Sequence, residues 1–351
     1  MRAACAVVFG IFTFCYLYYY QADLLSVEQH VLSGGKTTYN PLIGAVLITF
    51  VLYLVQLGVF AVTKLYKRAH ALTYFPSILL LLLLTVAHPN PVEGKLSVGA
   101  WLWIAIVLLA LFCWVAWMSY QFQAYEPKVD STGLFSRVTW VNLLTLGGMF
   151  LFLGLASNHH DVEHYRMRLE CKLQRDDFDD AWIAREGSAT DSSLVMLRAY
   201  CLSRLGLLGE HLFELPLVGG SHALRPDGLT TTTMLYPELE IRRYSSTKAA
   251  DEYRLCSYLM DKDLAGFVRS VKACYDLSDA DNLPKHYKEA LVLYQHKASN
   301  PAVEYKNHVF EADYADFLNT GSDAPDELTR MNQRRDIYGN TYWYYYKYVA
   351  K

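Results

Sequence analysis

Charge is what the first part of this chain lacks. Of its 67 charged residues, 54 fall from Asp161 onward, leaving a net +3 through His160 and −6 beyond it. A chain so divided is solvated by lipid in one part and by water in the other. The second part is mildly acidic, which excludes a nucleic-acid partner, since that role needs a basic surface to displace phosphate counterions. Cysteine is sparse and irregular. Cys5, Cys15 and Cys113 sit in apolar runs, while Cys171, Cys201, Cys256 and Cys274 form no C-x-x-C pair. That excludes a zinc ribbon or a thioredoxin-like site, and disulfides among the last four are permitted without being implied. There is also no H-E-x-x-H and no phosphate-cradling glycine loop, so no metal or other cofactor is expected.

What is present is apolar sequence in long runs. Five stretches approach the twenty or so residues that cross a hydrocarbon core about 30 Å thick. They run from Ala3 to Tyr20, Leu42 to Thr63, Ala71 to Ala87, Leu96 to Ser119 and Val138 to Ala156. The first ends in Tyr18-Tyr19-Tyr20-Gln21, without a small-residue cleavage pattern, so a retained helix is expected rather than a signal peptide. The third is the shortest. Its run Ile78 to Leu84 is apolar all round, as a lipid-facing helix would be, and Pro76 marks either a kink or a late start. No Asp, Glu, Lys or Arg falls in the centre of any stretch, which argues against an ion pump. Gln56, Asn142 and Thr145 are the polar exceptions, read as interhelical hydrogen-bonding groups beside the small residues Gly147, Gly148 and Gly154.

Basic residues set the orientation. Arg2, Lys64, Lys67, Arg68, Lys128 and Arg137 lie on one side, against Lys36 and Lys95 on the other. The N-terminus is therefore expected in the cytoplasm, and five crossings place everything after Ala156 outside it.

From Asp161 the pattern becomes amphipathic helices in pairs. Tyr165, Leu169 and Leu173 recur at helical spacing before Arg175-Asp176-Asp177, after which Phe178 and Ala181 open a return helix. A second pair reads through Leu197, Tyr200 and Cys201 to Leu205-Gly206, then Leu208, Leu212 and Phe213. A third runs from Tyr253 through Met260-Asp261 to Phe267 and Val271, and a fourth from Leu283 to Asn300-Pro301. The scheme resembles the tetratricopeptide repeat, with drifting spacings and no intact Trp-Leu-Gly signature. The expected fold is all-α: a polytopic transmembrane bundle over residues 1–158, then a soluble α-solenoid-like, tetratricopeptide-like domain over 159–351. Within the latter, 216–247 reads as a long insertion loop, with Gly219-Gly220, Pro226-Asp227-Gly228 and Pro237. Residues 338–351 form an aromatic segment.

Candidate chemistry is thin. Asp176, Asp177, Asp179 and Asp180 read as carboxylates at a helix start, complementing its free N–H groups, because the EF-hand glycine and terminal glutamate are missing. His159, His160 and His164 stand where the fifth helix ends. His160 and His164, four apart on one helical face, are the only candidate zinc pair, and a solvated cluster is the plainer reading. Gly219-Gly220-Ser221-His222-Ala223 misses the nucleophile elbow by its last glycine. Tyr342, Trp343 and Tyr345 are candidate binding rings, for a groove or a membrane interface, or else a terminal helix packed on the last repeat.

The connection Gln21 to Gly35 carries Asp23, Glu28 and His30. An acidic residue just beyond helix one, then a short amphipathic stretch ending in glycine, resembles the first loop of C-type lipid-linked glycosyltransferases. There such a carboxylate acts as base or metal ligand. The plainer alternative is an interfacial helix with Leu24, Leu25, Val27 and Val31 toward lipid. The whole chain also resembles an uncharacterised membrane-protein family of Bacteroidetes, the domain of unknown function 6057. Tyr19 to Leu24, His30 to Gly35, Leu65 to Arg68, Ala71 to Pro76, His164 to Arg166 and Thr341 to Tyr345 carry that likeness. It implies a Gram-negative inner membrane and a periplasmic second domain, and no reaction. The expected function is a membrane-anchored binding or scaffold protein that presents its repeats to a protein or peptide partner. The alternative is a lipid-linked glycan-processing enzyme using Asp23, Glu28 or His30.

Overall fold

A computed structural model describes residues 1–90, 95–123, 136–158, 160–178, 190–247, 249–277 and 283–349. Lys128, His159, Asp179, Asp180 and Ala181, on which some of the sequence expectations rest, lie outside the described residues. The protein is all-α, with a single two-stranded hairpin among the described residues, and divides into two compact units, Met1–His160 and Asp161–Lys351.

Five helices of the first unit are long and apolar enough to cross a membrane: Arg2–Tyr20, Pro41–Thr63, Lys67–Thr85, Trp101–Phe122 and Arg137–Ala156. The first is α1 (Arg2–Cys15) closed by a π-turn over Tyr16–Tyr20. It belongs to the bundle core, with Phe12 stacked on Phe150 and Phe9 against Tyr74. Next come the short α2 (Ala22–Ser33) and the span α3 (Pro41–Thr63), whose N-terminus Asn40 caps by accepting from the Leu42 and Ile43 N–H groups.

The third span corrects the expectation of a lipid-facing helix. It is the most enclosed of the five, 56% buried against 17–28% for the others, with Ile78, Leu79, Leu81 and Leu82 all inside. Apolarity all round does not separate a lipid-facing helix from one surrounded by other helices, since lipid tails are as apolar as leucine. Its shortness is also explained. Lys67–Tyr74 is wound as a 3₁₀ helix and α4 (Phe75–Thr85) continues as α-helix. At about 2.0 Å rise per 3₁₀ residue and 1.5 Å per α residue, the span reaches about 32 Å, against about 28 Å if wholly α. Pro76 stands in the first turn of α4, where its missing N–H costs nothing.

A 3₁₀ stretch at membrane depth needs partners for its backbone. Asn142 supplies them from α6 (Arg137–Ala156): its Oδ1 accepts from Ala71 N–H at 2.7 Å, and its Nδ2 donates to Lys67 O at 2.7 Å. Gln56 donates to Thr73 Oγ1, and Ser77 donates to Leu52 O. The interhelical role read for Gln56 and Asn142 is thus filled, whereas Thr145 bonds its own helix at Val141 O. Gly147, Gly148 and Gly154 face open space, so no close helix approach depends on them. Between α4 and α5 (Trp101–Phe122), strands β1 (His88–Asn90) and β2 (Lys95–Ser97) pair antiparallel.

The second unit opens with α7 (Asp161–Gln174) packed on α8 (Ser192–Leu205). The return helix expected from Leu208, Leu212 and Phe213 is only one turn, α9 (Leu208–His211), followed by a 3₁₀ turn. Pro216 and an extended Leu215 end it there. The expected 216–247 loop is corrected in part, since it holds a 3₁₀ turn (Gly220–Leu224) and α10 (Glu238–Ser245). The third pair, α11 (Ala250–Met260) and α12 (Leu264–Cys274), is formed as expected. Asp263 caps α12 by accepting from Gly266 N–H, and Gly266 lies so close to the Tyr258 ring that any side chain there would collide. Four helices complete the unit: α13 (Lys285–Lys297), α14 (His308–Asn319), α15 (Glu327–Tyr338) and α16 (Tyr342–Tyr348).

Candidate functional site

Asp23, Glu28 and His30 all lie on α2, and the helix keeps them apart. Asp23 and His30, seven residues apart, share a face; at 100° per residue Glu28 is turned about 140° from Asp23. The helix ends in a Schellman turn, with Gly34 N–H donating to Val31 O and Gly35 N–H to His30 O. Gly35 has φ +77°, which favours glycine, and a side chain there would also press on the His30 ring.

The apolar face of α2 does not meet lipid. Leu24, Leu25, Val27 and Val31 are buried within the unit, where α2 packs against both strands of the hairpin and against α3. Glu28 lies in the middle of that face and is 3% exposed, its Oε1 without a hydrogen-bond partner among the described residues. Burial pushes its carboxyl up to about 8, so at neutral pH it is largely a neutral acid. The Tyr39 phenol is pushed up to about 12, by burial first and then by the Glu28 charge.

At the same end of the bundle a cavity of about 490 Å³ opens between the end of the third span, the start of α5 and the end of α6. Val86, Trp101 and Phe152 form apolar walls, and His88, Asn158 and His160 supply polar groups. His160 is held by its N–H donating to Asn158 Oδ1. His164 is buried on α7 in the other unit. Among the described residues no three His, Cys, Asp or Glu side chains converge as metal ligands.

The aromatic terminus is core. Tyr342, Trp343 and Tyr345 are at most 5% exposed. Tyr342 O–H donates to Leu259 O, Trp343 Nε1 to Glu289 O and Tyr345 O–H to Met260 O, so α16 is fastened to α11 and α13. Glu289 Oε2 accepts from Tyr342 N–H at 2.6 Å and is bonded to His286 Nδ1. Arg334 alone is buried on α15. It donates to Leu318 O and Thr320 O at the end of α14 and to the Tyr348 hydroxyl.

The feature that sequence reading missed is a fastened turn inside 216–247. Asp227 Oδ1 accepts from the N–H groups of Leu229, Thr230 and Thr231, and Oδ2 accepts from the Thr230 hydroxyl at 2.6 Å. These bonds, the Thr230 hydroxyl foremost, hold the Asp227 carboxyl well below the usual carboxylate range. Gly228 takes φ +77°, and Thr231, fully buried, donates to Arg225 O. Leu229 is left 90% exposed at the tip.

The base of the turn is bolted to α7 and α8. Arg166 donates to Thr232 O and Oγ1, Ser193 Oγ accepts from Thr232 N–H, and Glu170 Oε2 accepts from Met234, Leu235 and Tyr236 N–H at 2.6, 2.5 and 3.2 Å. Pro226-Asp227-Gly228 signalled a turn in the sequence. Nothing local showed that Glu170, some 60 residues earlier, would anchor it.

A family model described as a family of unknown function (DUF6057) matches residues 230–349. The matched stretch is about a third of the chain and begins within this turn. No curated protein and no solved structure matches the chain.

Proposed function

We propose that this protein is a membrane-anchored binding protein that holds its second unit, a tetratricopeptide-like helical array, in the periplasm for a protein or peptide partner. The proposal includes an inner-membrane location with the N-terminus in the cytoplasm. The described basic residues Arg2, Lys64, Lys67, Arg68 and Arg137 gather at one face of the bundle, as at a cytoplasmic face, and an odd number of apolar helices is consistent with a second unit across the membrane from them.

The observation that carries the binding role is the Asp227 turn. An exposed leucine by itself means little. A leucine held clear of the surface by a turn with four bonds to one carboxylate is different, because the backbone that presents it is fixed before a partner arrives and docking loses less entropy. The glycan-processing alternative would use Asp23 or His30, which share one face of α2, because Glu28 is buried on another.

Photo-crosslinking tests the proposal. A benzophenone side chain placed at Leu229 is expected to give one discrete adduct in cells, absent when the probe replaces Leu328, which is also exposed. Asp227→Ala, which frees the turn, should abolish that adduct. The same adducts from both positions, or none from Leu229, would contradict the reading.

A further inference from the structure

The face of the bundle that carries the basic residues holds two grooves, one on each side of the last turns of α5. One, of about 320 Å³, has walls of Leu72, Val115, Met118 and Phe122 with Arg68 at its edge. The other, of about 370 Å³, has walls of Val62, Phe112, Ala116 and Trp117 with Lys64 at its edge. Both are apolar channels on spanning helices that end at a cation, and Val62, Trp117 and Phe122 are more than half exposed within them.

The short connection that supplies the cations is held in place. Lys64 ends α3 in the left-handed region at φ +51°, and Lys67 adopts φ +56°; this conformation usually falls to glycine or asparagine. Tyr66 N–H donates to Gln123 Oε1 at 3.2 Å, tying the connection to the end of α5. Asn142 grips Lys67 O from the other side. No described acidic side chain shares this face, because Asp23 and Glu28, the only described carboxylates of the unit, are both on α2 at the opposite end. Glu126 and Asp130 lie outside the described residues.

We infer that these grooves are sites for an anionic glycerophospholipid, one acyl chain along each apolar channel and the phosphate at Lys64 or Arg68. A zwitterionic lipid fits the channel equally well but gains less from the cation, because its own ammonium group offsets the phosphate charge. The anionic headgroup gains about 1 kcal/mol for each Lys or Arg near it. Each groove ends at one cation, so loss of both should weaken retention about fivefold at each site.

The test is native mass spectrometry of the full chain in mild detergent, titrated with dioleoylphosphatidylglycerol or dioleoylphosphatidylcholine. The glycerol lipid is expected to remain bound at detergent concentrations that strip the choline lipid, and inorganic phosphate should not displace it. Lys64→Gln with Arg68→Gln should lower retention about fivefold, while Lys64→Arg with Arg68→Lys keeps it. Should the neutral variant fail to fold, salt serves on the unmodified protein: 0.5 M salt shortens the Debye length to a few ångströms. It should then release the glycerol lipid selectively. Equal retention of the two lipids, displacement by phosphate, or indifference to salt would each overturn the inference.

Discussion

Glu170→Ala is expected to lower the melting temperature of the second unit by about 6–20 °C. Glu170 is fully buried, and its Oε2 accepts from three successive backbone N–H groups while Oε1 pairs with Arg166 at 3.4 Å. Truncation orphans three donors and leaves a nearly buried guanidinium without its carboxylate. Breaking a buried pair of this kind costs about 3–5 kcal/mol. For a unit of this size each kcal/mol corresponds to about 2–4 °C. Far-UV circular dichroism of the purified chain through the melt provides the measurement. A shift of less than about 3 °C would mean that the carboxylate is not the bolt described here.

Trp343→Ala has the second largest expected effect, a loss of about 3–5 kcal/mol. The indole is 2% exposed, packs against Tyr314 and Phe317, and donates to Glu289 O at 2.8 Å. Trp343→Phe keeps most of the packing and loses chiefly the second hydrogen bond to Glu289 O, which keeps its helical N–H donor, so it should cost only about 0.5–1.5 kcal/mol. A ring that instead served a membrane interface or an open groove would give a variant melting like the unmodified protein. Limited proteolysis provides a second readout, because α15 is held mainly through Arg334 and should be cut first once α16 loosens.

The contrast between these residues shows what sequence can carry. The five spans were legible because length and apolarity alone decide whether a helix crosses a membrane. Which span lies at the centre was not legible, because Ile78 to Leu84 reads the same against lipid as against neighbouring helices. Asn142, by contrast, was visible as an isolated polar group, and only its partner, the 3₁₀ backbone at Lys67 and Ala71, needed coordinates.

On α2 the pattern already held the answer. Leu24, Val27, Glu28 and Val31 fall on one helical face, so whatever buries the leucine buries the carboxyl. Reading that face as lipid-directed erred because the strands His88–Asn90 and Lys95–Ser97, which pack on α2, arrive from beyond α4. Glu170 was opaque for a related reason: its partners are backbone N–H groups, which leave no trace in residue identity. The aromatic terminus was readable as either a docking surface or a packed helix, and Glu289 with the Leu259 and Met260 carbonyls places it inside.

The central claim is that the Leu229 turn is displayed on the far side of the membrane from Lys64. Cys171, Cys201 and Cys256 are buried but Cys274 is partly exposed, so the reporter thiol is added to a Cys274→Ser background. A membrane-impermeant maleimide is applied to intact spheroplasts carrying Leu229→Cys or Lys64→Cys, and again after lysis. The account predicts that the Leu229→Cys variant is labelled before lysis and the Lys64→Cys variant only after it. Labelling of the Lys64→Cys variant alone in intact spheroplasts would invert the topology and remove the ground for a periplasmic partner.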